Sequence, residues 1–200
     1  MISIEQLQNI LEAAMMVAGR PLSLLQMQKL FDEGHEPELA DIKNALQALT
    51  ERYANSGIEL KEIASGYQFQ ARTSFSPWLS KLWEERPQKY SRALLETLAL
   101  IAYRQPITRA EIEDIRGVTV SSHITKTLLE REWIRVIGYR DVPGKPALYG
   151  TTKAFLDHFN LKTLDELPIL SELNDLEKED ATLQVQLELS DTPTTISEEE

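Results

Sequence analysis

The chain has no cysteine, so a disulfide frame and a thiolate metal site are both closed to it. Its 8 glycines include no phosphate-cradling loop: GxxxxGK followed by Ser or Thr, GxGxxG and GxSxG are all missing. The three histidines, His35, His123 and His158, stand far apart without an HExxH or an i, i+4 partner, so zinc ligation has no pattern to rest on. No run of about 18 apolar residues is present to span a bilayer, and Met1 to Gln8 carries acid but no basic stretch of a secretory leader. The expectation is a cytoplasmic, non-enzymatic protein with no cofactor and no metal.

Positive charge is the next scarcity, and it is local. Residues 163–200 hold 1 Lys or Arg against 12 Asp and Glu, residues 1–85 hold 7 against 12, and residues 86–162 hold 13 against 8. The net charge of −11 therefore hides a basic middle. Such a split suits a surface that faces an acidic partner or nucleic acid.

What is present is a repeat. Pro21-Leu22-Ser23-Leu24-Leu25-Gln26-Met27 returns 85 positions later as Pro106-Ile107-Thr108-Arg109-Ala110-Glu111-Ile112. Each copy places a hydroxyl at the N-cap, Gln or Glu at N3, and aliphatic residues at N′ and N4: a capping box inside a hydrophobic staple. Both follow an amphipathic helix and precede another helix and a strand pair, so the chain reads as a duplicated helical domain.

In the first copy, Leu7, Ile10, Leu11, Ala14, Val17 and Ala18 form a helical stripe that Gly19 ends. A capped helix from Ser23 to Phe31, a helix over Leu39–Tyr53, and a hairpin of Ile58–Ala64 and Tyr67–Arg72 about a Ser65-Gly66 turn follow. The second copy has a helix marked by Leu94, Leu98, Ile101 and Ala102, a helix from Thr108 stopped by Gly117, and a third helix through Val120, Ile124 and Leu128. Strands at Trp133–Ile137 and Ala147–Thr151 flank a wing loop, Gly138–Pro146, and Lys153–Phe159 closes the unit. The fold class expected is α+β, mainly helical: tandem winged-helix (helix-turn-helix) domains with small β-hairpin wings. The domain boundaries expected are 1–74, a connecting helix or linker over 75–90, a second domain over 91–168, and a disordered acidic tail over 169–200. Within that tail Leu183–Leu189 alternates like a strand.

No reaction centre is visible. Glu111, Glu113 and Asp114 cluster in the first turns of a capped helix, where the dipole favours acids. His123, with Ser121, Ser122, Lys126 and Arg131, offers a face for reading DNA, but Glu130 and Glu132 oppose phosphate contact. A tandem winged-helix transcription regulator is the alternative function. Tyr103, Arg104, Arg109, Lys145 and Tyr149 fall at the ends of elements and are of the types that anchor protein interfaces, so they are the candidate partner-binding residues. Leu7, Leu11, Met15 and Met16 put more apolar bulk on the first helix than one small core needs, and are the candidate dimer contacts.

The run Ser91 to Val118 (SRALLETLALIAYRQPITRAEIEDIRGV), the wing Asp141 to Thr152 (DVPGKPALYGTT) and Phe159 to Pro168 (FNLKTLDELP) closely resemble the segregation and condensation protein B (ScpB) family. The resemblance is looser over residues 4–90, through the order of elements and the Gly19-Arg-Pro-Leu22 turn. It implies a non-catalytic subunit of the bacterial condensin, a homodimer joined through its N-terminal domain. It also implies that the C-terminal domain holds the kleisin ScpA, which engages the SMC ATPase heads and so brings the protein to the nucleoid. DNA would be met only indirectly or weakly. Two positions depart from the family pattern: Glu132 stands where Gly is usual, and Lys145 where Arg is common.

Overall fold

Ser23 and Thr108 both cap as their spacing predicts. Gln26 N–H donates to Ser23 Oγ at 3.3 Å and Ser23 N–H to Gln26 Oε1 at 3.0 Å; Glu111 N–H donates to Thr108 Oγ1 at 3.3 Å and Thr108 N–H to Glu111 Oε2 at 2.9 Å. A computed structural model describes residues 2–82 and 90–168 of the chain. It consists of two winged-helix modules, each opened by an amphipathic helix and organised about one of these caps.

The first module starts with α1 (Ile4–Ala18), which Ser3 caps and Gly19 ends in the left-handed region at φ 59°. The short α2 (Leu24–Gln28) and the longer α3 (Leu39–Arg52) follow. The expected extension of α2 to Phe31 gives way to single tight turns, Leu30 N–H to Met27 O and Phe31 N–H to Gln28 O. Leu7, Leu11 and Met15 of α1 interdigitate with Met27, Ile42 and Leu46 in the module's core. Burying each such side chain fully contributes roughly 1.5–3 kcal/mol. Val17, expected in the buried stripe, is 88% exposed, because Ala14, Met15 and Ala18 already complete the inward face.

Strands β1 (Ile58–Ile63) and β2 (Gly66–Ala71) form the hairpin, with Ile63 opposite Gly66, so the two turn residues are Ala64 and Ser65 and not Ser65-Gly66. The one-residue shift has a steric origin. Leu22 and Tyr67 exchange two backbone hydrogen bonds of 2.9 Å, which brings the residue ahead of the cap against the start of β2. A Cβ on Gly66, at φ 141°, would lie 2.2 Å from Leu22 O. Only glycine fits there, and it fits as a strand residue.

Beyond β2, the expected connecting helix is broken into a helical turn, α4 (Ser76–Leu79), between 3₁₀ turns at Thr73–Phe75 and Ser80–Leu82. The remainder of that expectation, and the acidic tail with its Leu183–Leu189 stretch, lie outside the described residues.

In the second module α5 (Arg92–Arg104) is capped by Ser91. The pair Ile107–Thr108 forms a short strand, β3, and leads into α6 (Arg109–Arg116). The next helix, α7 (Ser122–Glu130), is followed by β4 (Ile134–Tyr139), β5 (Ala147–Thr151) and α8 (Lys153–His158). The sheet order is β3-β5-β4, with Ile107 opposite Tyr149 just as Leu22 is opposite Tyr67. Gln105 supports that sheet: its Oε1 accepts from Thr151 N–H at 2.7 Å and its amide donates to Thr151 Oγ1 at 3.0 Å. The wing loop is 140–146, since β4 runs on to Tyr139.

At the end of α7, Glu132 N–H donates to Leu129 O and Trp133 N–H to Leu128 O, the paired bonds of a Schellman motif, and Glu132 takes φ 57°. This is the position where the resembled family has Gly. Asn160 fills the same role after α8, at φ 56°, with the type of side chain that tolerates it better.

The modules meet through the first hairpin. Ser65 N–H and Oγ–H donate to the Asp157 carboxylate at 3.0 and 2.5 Å, Ala64 N–H donates to Leu161 O at 3.0 Å, and Lys162 pairs with Glu62 at 2.8 Å. These contacts fall within a compact unit, Met1–Leu164; the chain's other unit is Asp165–Glu200.

Candidate partner-binding surface

The sequence-predicted surface residues divide by what they already do. Arg109 is committed inside the second module: its Nε pairs with Glu113 at 3.0 Å and its Nη2 donates to Val120 O at 2.5 Å. Val120 N–H in turn donates to Glu113 Oε1 at 2.8 Å, so Arg109 and Glu113 together tie α6 to the start of α7. The element-end location of Arg109 suits this loop clamp and leaves its side chain 46% exposed.

Arg104 is exposed at the last turn of α5 and lines an open groove of about 310 Å³ with Pro106, Ile107, Asp114 and Ile115. Its neighbour Tyr103 is half-buried. Tyr149, also half-buried, lies in the central strand with Ile107 on one side and Val136 on the other. Lys145 is exposed on the wing loop at φ 38°. Arg104 and Tyr149 thus approach the same residue, Ile107, while Lys145 stands apart at the wing and Arg109 is occupied.

The candidate dimer residues are mostly consumed by folding. Leu7, Leu11 and Met15 are buried in the first module's own core, and Met16 alone of the four is on the surface, 61% exposed. Large side chains are interchangeable in a stripe count, but only the helix phase against α3 decides which of Met15 and Met16 turns inward.

A second groove, which sequence reasoning missed, lies between the end of α7 and β4. It holds about 460 Å³ and is lined by Leu129, Ile134, Val136 and Ala154, with Glu132 and Arg135 at its border. Its only sequence signal is the run Ile134-Arg135-Val136-Ile137, which reads as a strand without showing that the strand is at an edge.

Electrostatics here serve structure. The Glu111 carboxyl is held below the usual range by the Thr108 N–H and hydroxyl, with Arg140 beside it. Hydrogen bonds from Val120 N–H and Arg109 lower Glu113 in the same way. On α7, Lys126 pairs with Glu130 at 3.6 Å, which reduces the positive charge that helix shows. Among the described residues no three His, Cys, Asp or Glu side chains come together as a metal site, and no helix is long and apolar enough to cross a membrane.

Residues 9–170 match the family model described as segregation and condensation complex subunit ScpB. A segregation and condensation protein B homolog of Coxiella burnetii is 59% identical over 180 residues, covering 90% of this chain and 86% of that one. The segregation and condensation protein B of Syntrophotalea carbinolica is 41% identical, covering 89% of each chain. Among solved structures, ScpB from Mycobacterium tuberculosis is 31% identical with a TM-score of 0.38, covering 80% of this chain and 99% of that one.

Proposed function

The chain belongs to the family of segregation and condensation complex subunit ScpB, and from that premise we propose that it is a non-catalytic subunit whose second module holds the kleisin ScpA. Two copies associate through the first module, over residues 1–74, and each presents residues 91–168 to the kleisin. The kleisin links the dimer to the ATPase heads of the SMC protein, so that the chain supports chromosome condensation and partition during cell division. Its place is then the cytoplasm, at the nucleoid through the complex, and it meets DNA indirectly or weakly.

The observation that carries this reading is the family match over residues 9–170, which spans both modules. Charge supports the kleisin's placement, since the excess of Lys and Arg is confined to residues 86–162. For the dimer, Met16 and Val17 leave apolar surface on α1 after the core has taken its share. A DNA-reading regulator is less well supported, because Lys126 of α7 is paired with Glu130.

Replacing Tyr103 and Arg104 together by Ala tests the placement. The double variant should bind the kleisin more weakly by over ~1 kcal/mol with an unchanged circular dichroism spectrum, as expected for interface anchors. Unchanged affinity would move the contact elsewhere. Tight, sequence-selective DNA binding by the chain alone would favour the regulator.

A further inference from the structure

In the second module's sheet β4 is an outer strand, and among the described residues no strand pairs with its far side. Its ladder with β5 has a bulge between Val136 and Gly138; Thr152 N–H to Trp133 O at 3.2 Å sets the phase before the bulge, and Arg140 N–H to Pro146 O at 2.9 Å the phase after it. Antiparallel pairs alternate between those that exchange hydrogen bonds and those that do not. Counted from Trp133–Thr152, Arg135 faces its backbone groups to Gly150, and Ile134 and Val136 face theirs outward. The edge carries no proline, and the bulge between Val136 and Gly138 interrupts it, so Ile134 to Val136 is the regular stretch open to pairing. Val136, Ile137 and Tyr139 are all exposed along it.

Two further features flank the same edge. One is the groove floored by Leu129, Ile134, Val136 and Ala154. The other is the exposed Arg135 of β4, which makes no ion pair among the described residues. An extended segment laid on β4 would send alternate side chains toward the groove and the intervening carboxylates toward Arg135.

We propose that β4 accepts, as a fourth strand, an extended segment of the kleisin in which apolar residues alternate with acidic ones. The proposal rests on the kleisin reading above and adds a contact at the opposite edge of the sheet from Arg104, since Ile107 lies in β3 and Val136 in β4 with β5 between. A second copy of the chain fits this edge less well, because two antiparallel β4 strands would bring Arg135 toward its own copy without a carboxylate between them.

The test uses the full-length chain and the purified kleisin. Calorimetry gives the affinity of the wild type, of Val136→Pro and of Arg135→Glu, and hydrogen exchange follows the Ile134 and Val136 amides. Val136→Pro deletes an outward donor without removing a bond to β5, so binding should weaken by at least roughly ten-fold, the consequence of leaving a partner's carbonyl unpaired. Arg135→Glu, which keeps every backbone donor, should weaken it several-fold and reduce its dependence on salt. Both outward amides should become protected in the complex. Kleisin binding of full strength with both amides unprotected would overturn the fourth strand and leave the kleisin reading intact; no kleisin binding at all would overturn both. Protection that instead grows with concentration in the chain alone would assign the edge to a second copy.

Discussion

The two modules open on the same cap and then treat it differently. In the first, Leu22 reaches β2 through one bridge, and the close approach is made possible by Gly66, whose missing side chain leaves room for a rigid carbonyl. In the second, Ile107 and Thr108 form a two-residue strand against β5, and a Cβ on the nearby Gly150 would lie 2.8 Å from Gln105 Oε1, at the end of that side chain, and 3.0 Å from Ile137 Cδ1. One module packs backbone on backbone, the other backbone on side chains that can shift. The same local sequence therefore yields a tight joint in one half and an adjustable one in the other.

That contrast should be largest in Gly66→Ala against Gly150→Ala. The first should cost roughly 3 kcal/mol, from the clash with Leu22 O and the strained φ together, while the second should cost about half as much. Urea denaturation of each variant decides it, and equal losses would erase the distinction.

The caps themselves should separate next. Thr108 is buried and its hydroxyl also donates to Glu111 Oε2 at 2.9 Å, whereas Ser23 is half-buried. Thr108→Ala should cost about 2 kcal/mol and Ser23→Ala about 1 kcal/mol, both within the range for lost N-caps. Thermal melts of the two variants would show equal losses if burial does not matter.

A smaller effect distinguishes the modules by pH. Gln26 has no proton to gain, but Glu111 has a folded pKa below its ordinary value, held there by Thr108 and Arg140. The stability it contributes is complete above the unfolded pKa of about 4.3 and is lost as pH falls through the lower folded value. Glu96 and Glu113, in the same module, act in the same direction. His158, pushed down by burial and by Arg131, adds a loss that begins as pH drops below about 6.5, where the unfolded chain takes up a proton that the folded imidazole refuses. The amide of Thr108 should thus lose protection, relative to the intrinsic exchange rate at each pH, in acid before the amide of Ser23 does, and Glu111→Gln should flatten the difference.

The smallest change should be a gain. Glu132 occupies the left-handed position of the α7 Schellman motif, and Glu132→Gly should stabilise by roughly 0.5–1 kcal/mol in a denaturation curve. Asn160→Gly, at the equivalent place after α8, should gain less.

Much of this was legible beforehand for reasons that are local. Both capping boxes, the helix ends at Gly19 and Gly117, and the wing all follow from residue types at fixed offsets. The errors came where one segment meets another far away in sequence. The hairpin turn slid by one residue because Leu22 pairs with Tyr67, and Met15 and Met16 were separated by the phase of α1 against α3; the Arg109 contact with Val120 was likewise invisible in the sequence. The Ser65–Asp157 contact spans 92 positions and had no signal in the hydrophobic pattern. The β4 edge was hidden for the same reason, since strand order is a property of the sheet.

The central claim is that the second module is the kleisin-holding half. Titration of the full-length chain with purified ScpA, followed by amide exchange across residues 90–168, tests it most directly. Saturable binding that weakens with salt and protects amides of β4 or the Arg104 groove is the predicted result. Binding that protects only residues 2–82, or no binding by a chain with an intact circular dichroism spectrum, would contradict it.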